Sequence, residues 1–301
     1  MRVINGGMAA GGTSISDASA SRILVGGGAA LALAALVVLG GVAASAPADD
    51  SGLRSSATVE LAPAIPAVAV TKARVPGRPI VLLDAGHGGT DPGATSVSGE
   101  IAEKQLTLQL ARELRDRLAG NGRVRVALTR DDDRHLTLAQ RAMLARRLGA
   151  SLYVSLHMDS APNPLARGAS VYSLSEVASD AEAARLAETV NAGGDLASGG
   201  DGSVRAILSD LALRSQMTAS ADFAERLVRN AQGRVLLRPE PHRFADFHVL
   251  RSAGVPAVLF EAGYISNVDD EALLRTPEQR SRIVAALARA IEADVAARTS
   301  R

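Results

Sequence analysis

The stretch VLLDAGHGGTDPGA, from Val81 to Ala94, contains the first strand of the fold and raises the first question about function. An apolar run typical of a buried strand ends at Asp84, and His87 follows within a cluster of glycines. Glycine lets a chain turn tightly, and it also lets the backbone approach a bound ion or ligand closely. The loop is therefore either a simple turn or part of a site, and the rest of the sequence must distinguish the two.

Four apolar runs have the composition of β-strands: Ile80–Asp84, Val124–Leu128, Leu152–Leu156 and Ala257–Phe260. The segments between them have helical spacing of apolar residues. Two helical segments, one between strands and one after the last strand, begin with N-cap signals at Thr137 and at Thr276, each followed three positions later by a glutamine. Such alternation of strands and helices predicts an α/β fold with a mostly parallel, twisted sheet that is flanked by helices.

The composition excludes several classes of function. The chain has 301 residues, a formal net charge of +1 and no cysteine. A balanced charge gives no indication of a nucleic-acid partner. The absence of cysteine excludes disulfides, thiolate metal sites and a cysteine nucleophile, so any metal must bind to His, Asp or Glu side chains.

The N-terminal part of the chain has the composition of a targeting segment. After Arg22, the apolar stretch Ile23–Ala46 ends in small residues, as a secretory signal does, and it is also long enough to span a bilayer. Either form predicts export, to the periplasm or to an inner-membrane anchor that faces the periplasm. We interpret 1–46 as a signal peptide or anchor, 47–77 as a linker and 78–298 as the folded domain.

Glu103 lies on the apolar stripe of a predicted helix. The stripe continues 3, 7 and 11 positions further on, at Leu106, Leu110 and Leu114. A buried carboxylate without a partner is costly, so it needs an Arg, a Lys or a metal ion. The alternative is a carboxylate that is stabilised by its place in the first helical turn.

Two histidines follow the carboxyl ends of predicted strands. His157 ends the run Leu152–Leu156, and His87 follows the first strand. In open α/β sheets the ligand crevice lies outside these strand ends. Together with Glu103, the two histidines make a three-ligand set of the kind that holds catalytic zinc. A lone histidine at a strand end is otherwise more often a core residue.

Two further charged residues follow strands. Glu261 ends the strand Ala257–Phe260 and is either a fourth ligand or a carboxylate that takes a proton from the attacking water. Alternatively, Glu261 forms a salt bridge at the strand end and has no part in catalysis. Arg130 follows the strand Val124–Leu128 and is predicted to reach the same crevice, where it pairs with a carboxylate of the protein or of a substrate.

Five motifs occur in order between Ile80 and Ala297: LDAGHGGTDPGA, EKQLTLQLARELRDRL, LTRDDD, SLHMDS and FEAGYISN. Together they resemble the zinc-dependent N-acetylmuramoyl-L-alanine amidases of bacterial cell-wall hydrolysis, the Amidase_3 family. One departure is Met158, where the family usually has a smaller residue. It narrows the site but leaves the candidate ligands intact.

The resemblance implies a sheet of six strands and one Zn²⁺ per chain, bound by His87, Glu103 and His157, with Glu261 as the catalytic glutamate. It further implies that the substrate is peptidoglycan and that zinc-activated water cleaves the amide between N-acetylmuramic acid and L-alanine. A zinc peptidase or deacylase that acts on another cell-wall amide would share the ligand set. An inactive wall-binding module would share the fold, but it is disfavoured because all four residues are present.

The chain between His157 and Glu261 is longer than a strand crossover requires. Residues 179–217 are predicted to form an insertion that begins with a helix, with Ser179 as N-cap, and continues through a glycine-rich break into a second helix. The insertion resembles that of Gram-negative cell-division amidases, in which a helix covers the zinc until a partner moves it. The alternative is a loosely ordered surface insertion.

This second resemblance implies autoinhibition and an activator protein that displaces the insertion. Glu188 is the candidate regulatory residue, because a carboxylate could occupy the open position on zinc, although Val190 stands near where relatives often carry an acidic or amide residue. A possible docking face for the activator is an exposed apolar run: Leu208, Leu211 and Leu213. We expect a monomer with no nucleic-acid partner.

Overall fold

The computed structural model describes residues 64–192 and 204–299, with 204–207 described by their backbone alone. In this part of the chain the elements are β1 (Ile80–Ala85), α1 (Glu103–Asn121), β2 (Arg125–Leu128), α2 (Leu138–Arg147), β3 (Leu152–Asp159), β4 (Ala169–Leu174), α3 (Ala181–Asn191), α4 (Val204–Ala231), β5 (Leu237–Ala245), α5 (His248–Ser252), β6 (Ala257–Tyr264), α6 (Val268–Leu274) and α7 (Pro277–Thr299). The predicted α/β fold is confirmed.

The six strands form one sheet in the order β2-β1-β3-β6-β4-β5. β1 pairs in parallel with β2 and with β3, and β3 pairs in parallel with β6. β4 runs antiparallel to β6 and parallel to β5. The four predicted strands are therefore parallel to one another, and their carboxyl ends meet at one edge. The predicted site residues outside the insertion lie in the second half of a strand, just after a strand or at the start of a helix.

The two strands without a clear sequence signal are β4 and β5. β5 has the sequence LRPEPHRFA, in which Pro239 and Pro241 cannot donate hydrogen bonds to a neighbouring strand. It lies at the edge of the sheet, which is where prolines are tolerated in strands. Its polar composition follows from this edge position.

Helices cover both faces of the sheet. Helices α1, α4 and α7 pack on one face, and α2, α3 and α5 pack on the other. The predicted apolar stripe of α1 is confirmed, because Leu106, Leu110 and Leu114 are almost wholly buried. Glu103 is the first residue of α1 and only 4% exposed, so the helix delivers a buried carboxylate to the edge of the sheet.

The predicted helix starts are confirmed at α2 and α7 and wrong at α3. Thr137 Oγ1 accepts a hydrogen bond from the third backbone N–H of α2 at 3.2 Å, and Thr276 Oγ1 does the same for α7 at 3.3 Å. Asp180 caps α3 in place of Ser179, since its carboxylate accepts two backbone N–H groups of the first turn. Ser179 instead accepts from Phe244 N, which ties it to β5.

Part of the predicted linker belongs to the folded domain. Residues 65–71, here called the N-terminal strap, pack against the domain, and Val70 near their end forms an antiparallel bridge with Ala127 of β2. Three apolar side chains of the strap pack against the core: Ile65, Val68 and Val70. The strap covers an otherwise open edge of the sheet, so the domain begins before residue 78. The predicted targeting segment 1–46 and residues 47–63 lie outside the described residues, and none of the described helices is long and apolar enough to cross a membrane.

Candidate metal centre

The loop after β1 brings His87 to the carboxyl ends of β1 and β3. Its backbone has φ 59°, the left-handed conformation that non-glycine residues rarely adopt. A Cβ added at Gly86 would lie 2.5 Å from Cε1 of His157, and one added at Gly93 would lie 2.6 Å from Oε2 of Glu103. The glycines are needed because the loop packs directly against two other predicted ligands, so the loop is part of a site.

His87, Glu103 and His157 converge at this edge. His87 Nε2 lies 3.1 Å from one carboxylate oxygen of Glu103, and His157 Nδ1 lies 3.0 Å from the other. One ligand atom from each residue lies within 4.8 Å of the other two, so the three side chains could hold a metal ion. The structure thus brings together the three residues that the sequence selected from separate segments.

Hydrogen bonds hold the ligands in place. Asp91 Oδ2 lies 2.9 Å from His87 Nδ1, on the side of the ring away from Glu103. Such a carboxylate fixes the orientation of a metal-binding imidazole. The Glu103 carboxylate also accepts the backbone N–H groups of Ala94 and Met158, each at 3.0 Å. Asp91 was not selected from the sequence, although its spacing of four residues from His87 was visible there.

Hydrogen bonds between the candidate ligands outweigh the effect of burial on their charges. Burial lowers the pKa of His87, but hydrogen bonds to Asp91 and Glu103 outweigh this effect and raise the pKa to about 9. Burial raises the pKa of Glu103, but hydrogen bonds to His157 and His87 hold it well below its usual range. A metal ion must therefore displace a proton from His87 when it binds.

Glu261 lies beside the metal-binding group. It pairs in register with His157 across β3 and β6, and its side chain is fully buried. Neither carboxylate oxygen has a hydrogen-bond partner among the described residues. Burial, and then the negative charges of Asp159 and Glu103, raise the pKa of Glu261 well above its usual range. A carboxylate that binds a proton this strongly is suited to general-base catalysis.

Arg130 does not occupy the predicted substrate position. Its side chain is buried, and its guanidinium donates to backbone carbonyls of Ala85, Gly86 and Lys104. It lies below the His87 loop and holds the loop against α1. The prediction placed it correctly after β2 but could not show that its donors turn inward to the backbone and away from the crevice.

A second buried arginine, Arg141 on α2, supports the same loop. It pairs with Asp84 at 2.6 Å and donates to the backbone oxygens of Ala85 and His87. Burial raises the pKa of Asp84, but the charge of Arg141 and hydrogen bonds hold it well below its usual range. This pair was not predicted, because Asp84 ends an apolar strand and Arg141 lies mid-helix, with no sequence pattern linking them.

A cavity of about 1290 Å³ opens above the metal-binding group. Its lining includes His87, Glu103, His157 and Glu261, and one wall is formed by α3 of the predicted insertion. Glu188, the candidate regulatory residue, lies in this wall. Among the described residues, no hydrogen bond joins Glu188 to the metal-binding group.

Ion pairs attach α3 to the sheet. Arg238 of β5 donates two hydrogen bonds to Glu182, at 2.6 and 3.0 Å, and Tyr264 donates a third at 2.6 Å. Arg243 pairs with Asp180 at the start of the helix. Glu182 therefore serves as the attachment point of α3.

Only part of the apolar run that was predicted to be exposed is exposed in the structure. Leu208 and Leu211 are exposed on α4, at 62% and 57%. Leu213 packs against the core together with Met217, so it does not belong to that face. The glycine-rich break predicted after α3 falls on residues 193–203, outside the described residues.

The fold and the site together define an α/β protein with a metal-binding group and a buried carboxylate beside it, an arrangement found in hydrolases that activate water. Residues 81–293 match the Amidase_3 family, described as N-acetylmuramoyl-L-alanine amidase. The chain belongs to this family. The predicted family, fold and amidase activity are confirmed, and peptidoglycan is the substrate of the family.

Three relatives illustrate the similarity. The chain is 34% identical over 220 residues to the N-acetylmuramoyl-L-alanine amidase AmiA of Escherichia coli (strain K12), which covers 71% of this chain and 75% of the relative. It is 35% identical over 217 residues to AmiA of Salmonella typhimurium, covering 70% and 74%. The catalytic domain of CwlV, an amidase from Bacillus (Paenibacillus) polymyxa var. colistinus, superposes with a TM-score of 0.51 at 27% identity, covering 71% of this chain and 96% of that one.

Proposed function

We propose that this chain cleaves the amide between the lactyl group of N-acetylmuramic acid and L-alanine with one Zn²⁺ held by His87, Glu103 and His157. The convergence of these three side chains beside Glu261 is the observation that supports the proposal most strongly. Two imidazoles and one carboxylate form a known ligand set of catalytic zinc. When bound, zinc supplies a Lewis acid that polarises the scissile carbonyl and lowers the pKa of water.

The protein's own residues perform the proton transfers. Glu261 takes a proton from the attacking water and passes it to the nitrogen of L-alanine as that amine leaves. Its burial excludes bulk water, which strengthens its interaction with the reacting groups. Asp91 keeps His87 in the orientation that the ligand set requires. No covalent intermediate with the protein is needed.

Two experiments test this proposal. The first is digestion of purified peptidoglycan, in which the released ends should be free L-alanine amines, whereas a peptidase or a deacylase acting elsewhere would release different ends. The second compares two variants. Glu261→Gln should keep zinc but lose about 10²–10⁴-fold in turnover, the usual effect of removing a general base. His157→Ala should lose stoichiometric zinc. Near-normal turnover by the first variant, or full zinc occupancy of the second, would contradict the assigned roles.

We further propose that the insertion inhibits the enzyme until an activator protein displaces it. The support is that α3 forms one wall of the cavity and that neither oxygen of Glu261 is accessible to solvent. Movement of this wall would widen the access of substrate to the base. Glu188, in the same wall, is the candidate residue whose carboxylate would occupy the open position on zinc.

The attachment of α3 gives a sharper test than deletion of residues 179–217, since that deletion would also remove Leu213 and Met217 from the core. Glu182→Gln weakens the contact with Arg238 and should release peptidoglycan fragments faster than the unaltered chain does. Glu225→Gln makes the same change on an exposed part of α4 and should leave the rate unchanged. Equal rates for both variants would argue against autoinhibition by α3.

The N-terminal sequence supports export as part of the same proposal. The apolar stretch Ile23–Ala46 would carry the domain to the periplasm, where peptidoglycan lies, as a cleaved signal or as an anchor. We expect the chain to act as a monomer and to meet its activator there. Mass determination of the mature protein would show whether the segment is cleaved.

A further inference from the structure

Asp159 is a buried carboxylate that the proposed mechanism does not use. It is the last residue of β3 and only 3% exposed. Its Oδ1 accepts the backbone N–H of Ser160 at 2.7 Å, which fixes the orientation of the carboxylate. Its Oδ2 has no hydrogen-bond partner among the described residues. A buried acceptor without a donor costs free energy, so this atom needs an explanation.

Two arginines of the neighbouring elements are engaged with other carboxylates. Arg238 donates two hydrogen bonds to the carboxylate of Glu182. Arg167 pairs with Asp269 and lies near Asp270. Among the described residues no salt bridge reaches Asp159. Asp159 lines the cavity, so a molecule that enters it can supply the missing donor.

The position of Asp159 identifies the part of the substrate that it faces. Asp159 lies two residues beyond His157 on β3, so the two side chains share one face of the sheet and stand about 7 Å apart along the strand. Glu261 lies opposite His157 on β6, whereas Asp159 lies opposite Tyr264, past an irregularity in the pairing. Seen from the metal-binding group, Asp159 therefore lies two residues further along the same face of β3.

We propose that Asp159 Oδ2 accepts a hydrogen bond from the backbone N–H of the stem peptide that follows the scissile amide, and thereby positions the substrate. The inference rests on the proposed function. The free oxygen of a carboxylate accepts hydrogen bonds, and the backbone N–H groups are the regularly spaced donors of a peptide substrate. Glu261 must reach the scissile nitrogen to protonate it, so the peptide continues from that point past the metal-binding group.

Distances along an extended peptide agree with this placement. Each residue spans about 3.3–3.6 Å, so the N–H that joins L-alanine to the second stem residue lies one residue beyond the scissile nitrogen. A side chain that starts about 7 Å from the ligand His157 is within hydrogen-bonding reach of that group. Asp159 is therefore a substrate-positioning residue, distinct from the metal ligands and from the base.

The experiment uses the full chain and two synthetic muramoyl-peptides that differ in one group. One carries the ordinary amide between L-alanine and the second residue, and the other is N-methylated there, which removes the donor but leaves the scissile amide intact. The unaltered enzyme should prefer the ordinary peptide in kcat/KM by about 10- to 100-fold, as expected for a hydrogen bond to a charged group. Asp159→Ala should cleave the two peptides at similar rates.

Two controls separate this role from a general effect. Asp222→Ala removes an exposed carboxylate on α4 and should keep the full preference of the unaltered enzyme. Zinc content should be the same in all three proteins. Closure of the site by α3 would slow both peptides equally, so it cancels in the ratio. Asp159→Leu, which has a similar shape but no acceptor oxygen, replaces Asp159→Ala if that variant does not fold.

The outcomes separate the two proposals. Loss of the preference in the Asp159 variant, with zinc retained, supports the inference. A preference that persists in that variant overturns the inference and leaves the amidase proposal standing, and so does an unaltered enzyme that cleaves both peptides equally. If the zinc-loaded enzyme, given its open site by Glu182→Gln, cleaves neither peptide, the proposed function fails and the inference fails with it.

Discussion

A single added methyl group at Gly86 should detach His157 from the metal-binding group. In Gly86→Ala the new Cβ would lie 2.5, 2.6 and 2.8 Å from three atoms of the His157 ring, whereas ordinary contact begins at 3.4 Å. The ring must therefore withdraw by about 3.4 − 2.5 = 0.9 Å. Metal–ligand distances tolerate only about ±0.2 Å. Loss of a residue that only hydrogen-bonds to a metal ligand lowers metal affinity by about 10–100-fold. Displacement of the ligand itself should therefore weaken zinc binding by at least about 100-fold.

The assay is competition for zinc against a chromogenic chelator, with thermal unfolding measured alongside. Gly120→Ala is the matched control, because a Cβ there meets nothing within 4 Å. Gly86 does not need a left-handed backbone, so alanine introduces only the steric contact with the ring. Equal zinc affinity of Gly86→Ala and Gly120→Ala would contradict this prediction. It would mean that His157 is not a ligand, or that the loop can move away from the ring at little cost in free energy.

Three further predictions concern stability and access. Arg141→Met should lower the free energy of unfolding by about 3–5 kcal/mol, because it leaves Asp84 buried and unpaired, and denaturant titration should show no comparable loss for the exposed Arg214→Met. The free energy of unfolding of the metal-free protein should fall as the pH rises from about 6.5 to about 9. Protonated His87 stabilises the fold fully below about pH 6.5, and this stabilisation is lost above about pH 9, where the folded protein also releases the proton. Unfolding of the metal-free His87→Gln variant should not show this loss. If Glu188 blocks the open position at the metal, Glu188→Ala should release fragments from dye-labelled peptidoglycan faster than the unaltered chain. An unchanged rate of dye release would show that Glu188 does not block the site.

The sequence was sufficient for the parallel half of the sheet and for the residues at its carboxyl edge. His87, His157 and Glu261 could be selected because each follows an apolar run that is buried on both faces, which is the clearest strand signal. Glu103 could be selected because a charge on an apolar helical stripe is anomalous. In each case the periodicity alone places the side chain at the edge or in the core.

Features that depend on distant partners were beyond the sequence. Arg130 lies close to the site as expected, but the direction of its donors depends on where the backbone of the His87 loop runs. Asp159 is a polar residue just after a histidine, and nothing local shows that one of its oxygens lacks a partner. β5 has two prolines, and only its place at the sheet edge makes that strand possible.

The N-terminal strap and the prolines of β5 have a shared consequence for the behaviour of the protein at high concentration. An open strand edge offers unpaired backbone groups to any other chain, and such edges cause sheets to stack into aggregates. Here the strap occupies the edge at β2, and Pro239 and Pro241 blunt the edge at β5. A fragment that starts at residue 78 would expose the edge of β2 and should aggregate, whereas one that starts at residue 64 keeps both edge strands of the sheet protected.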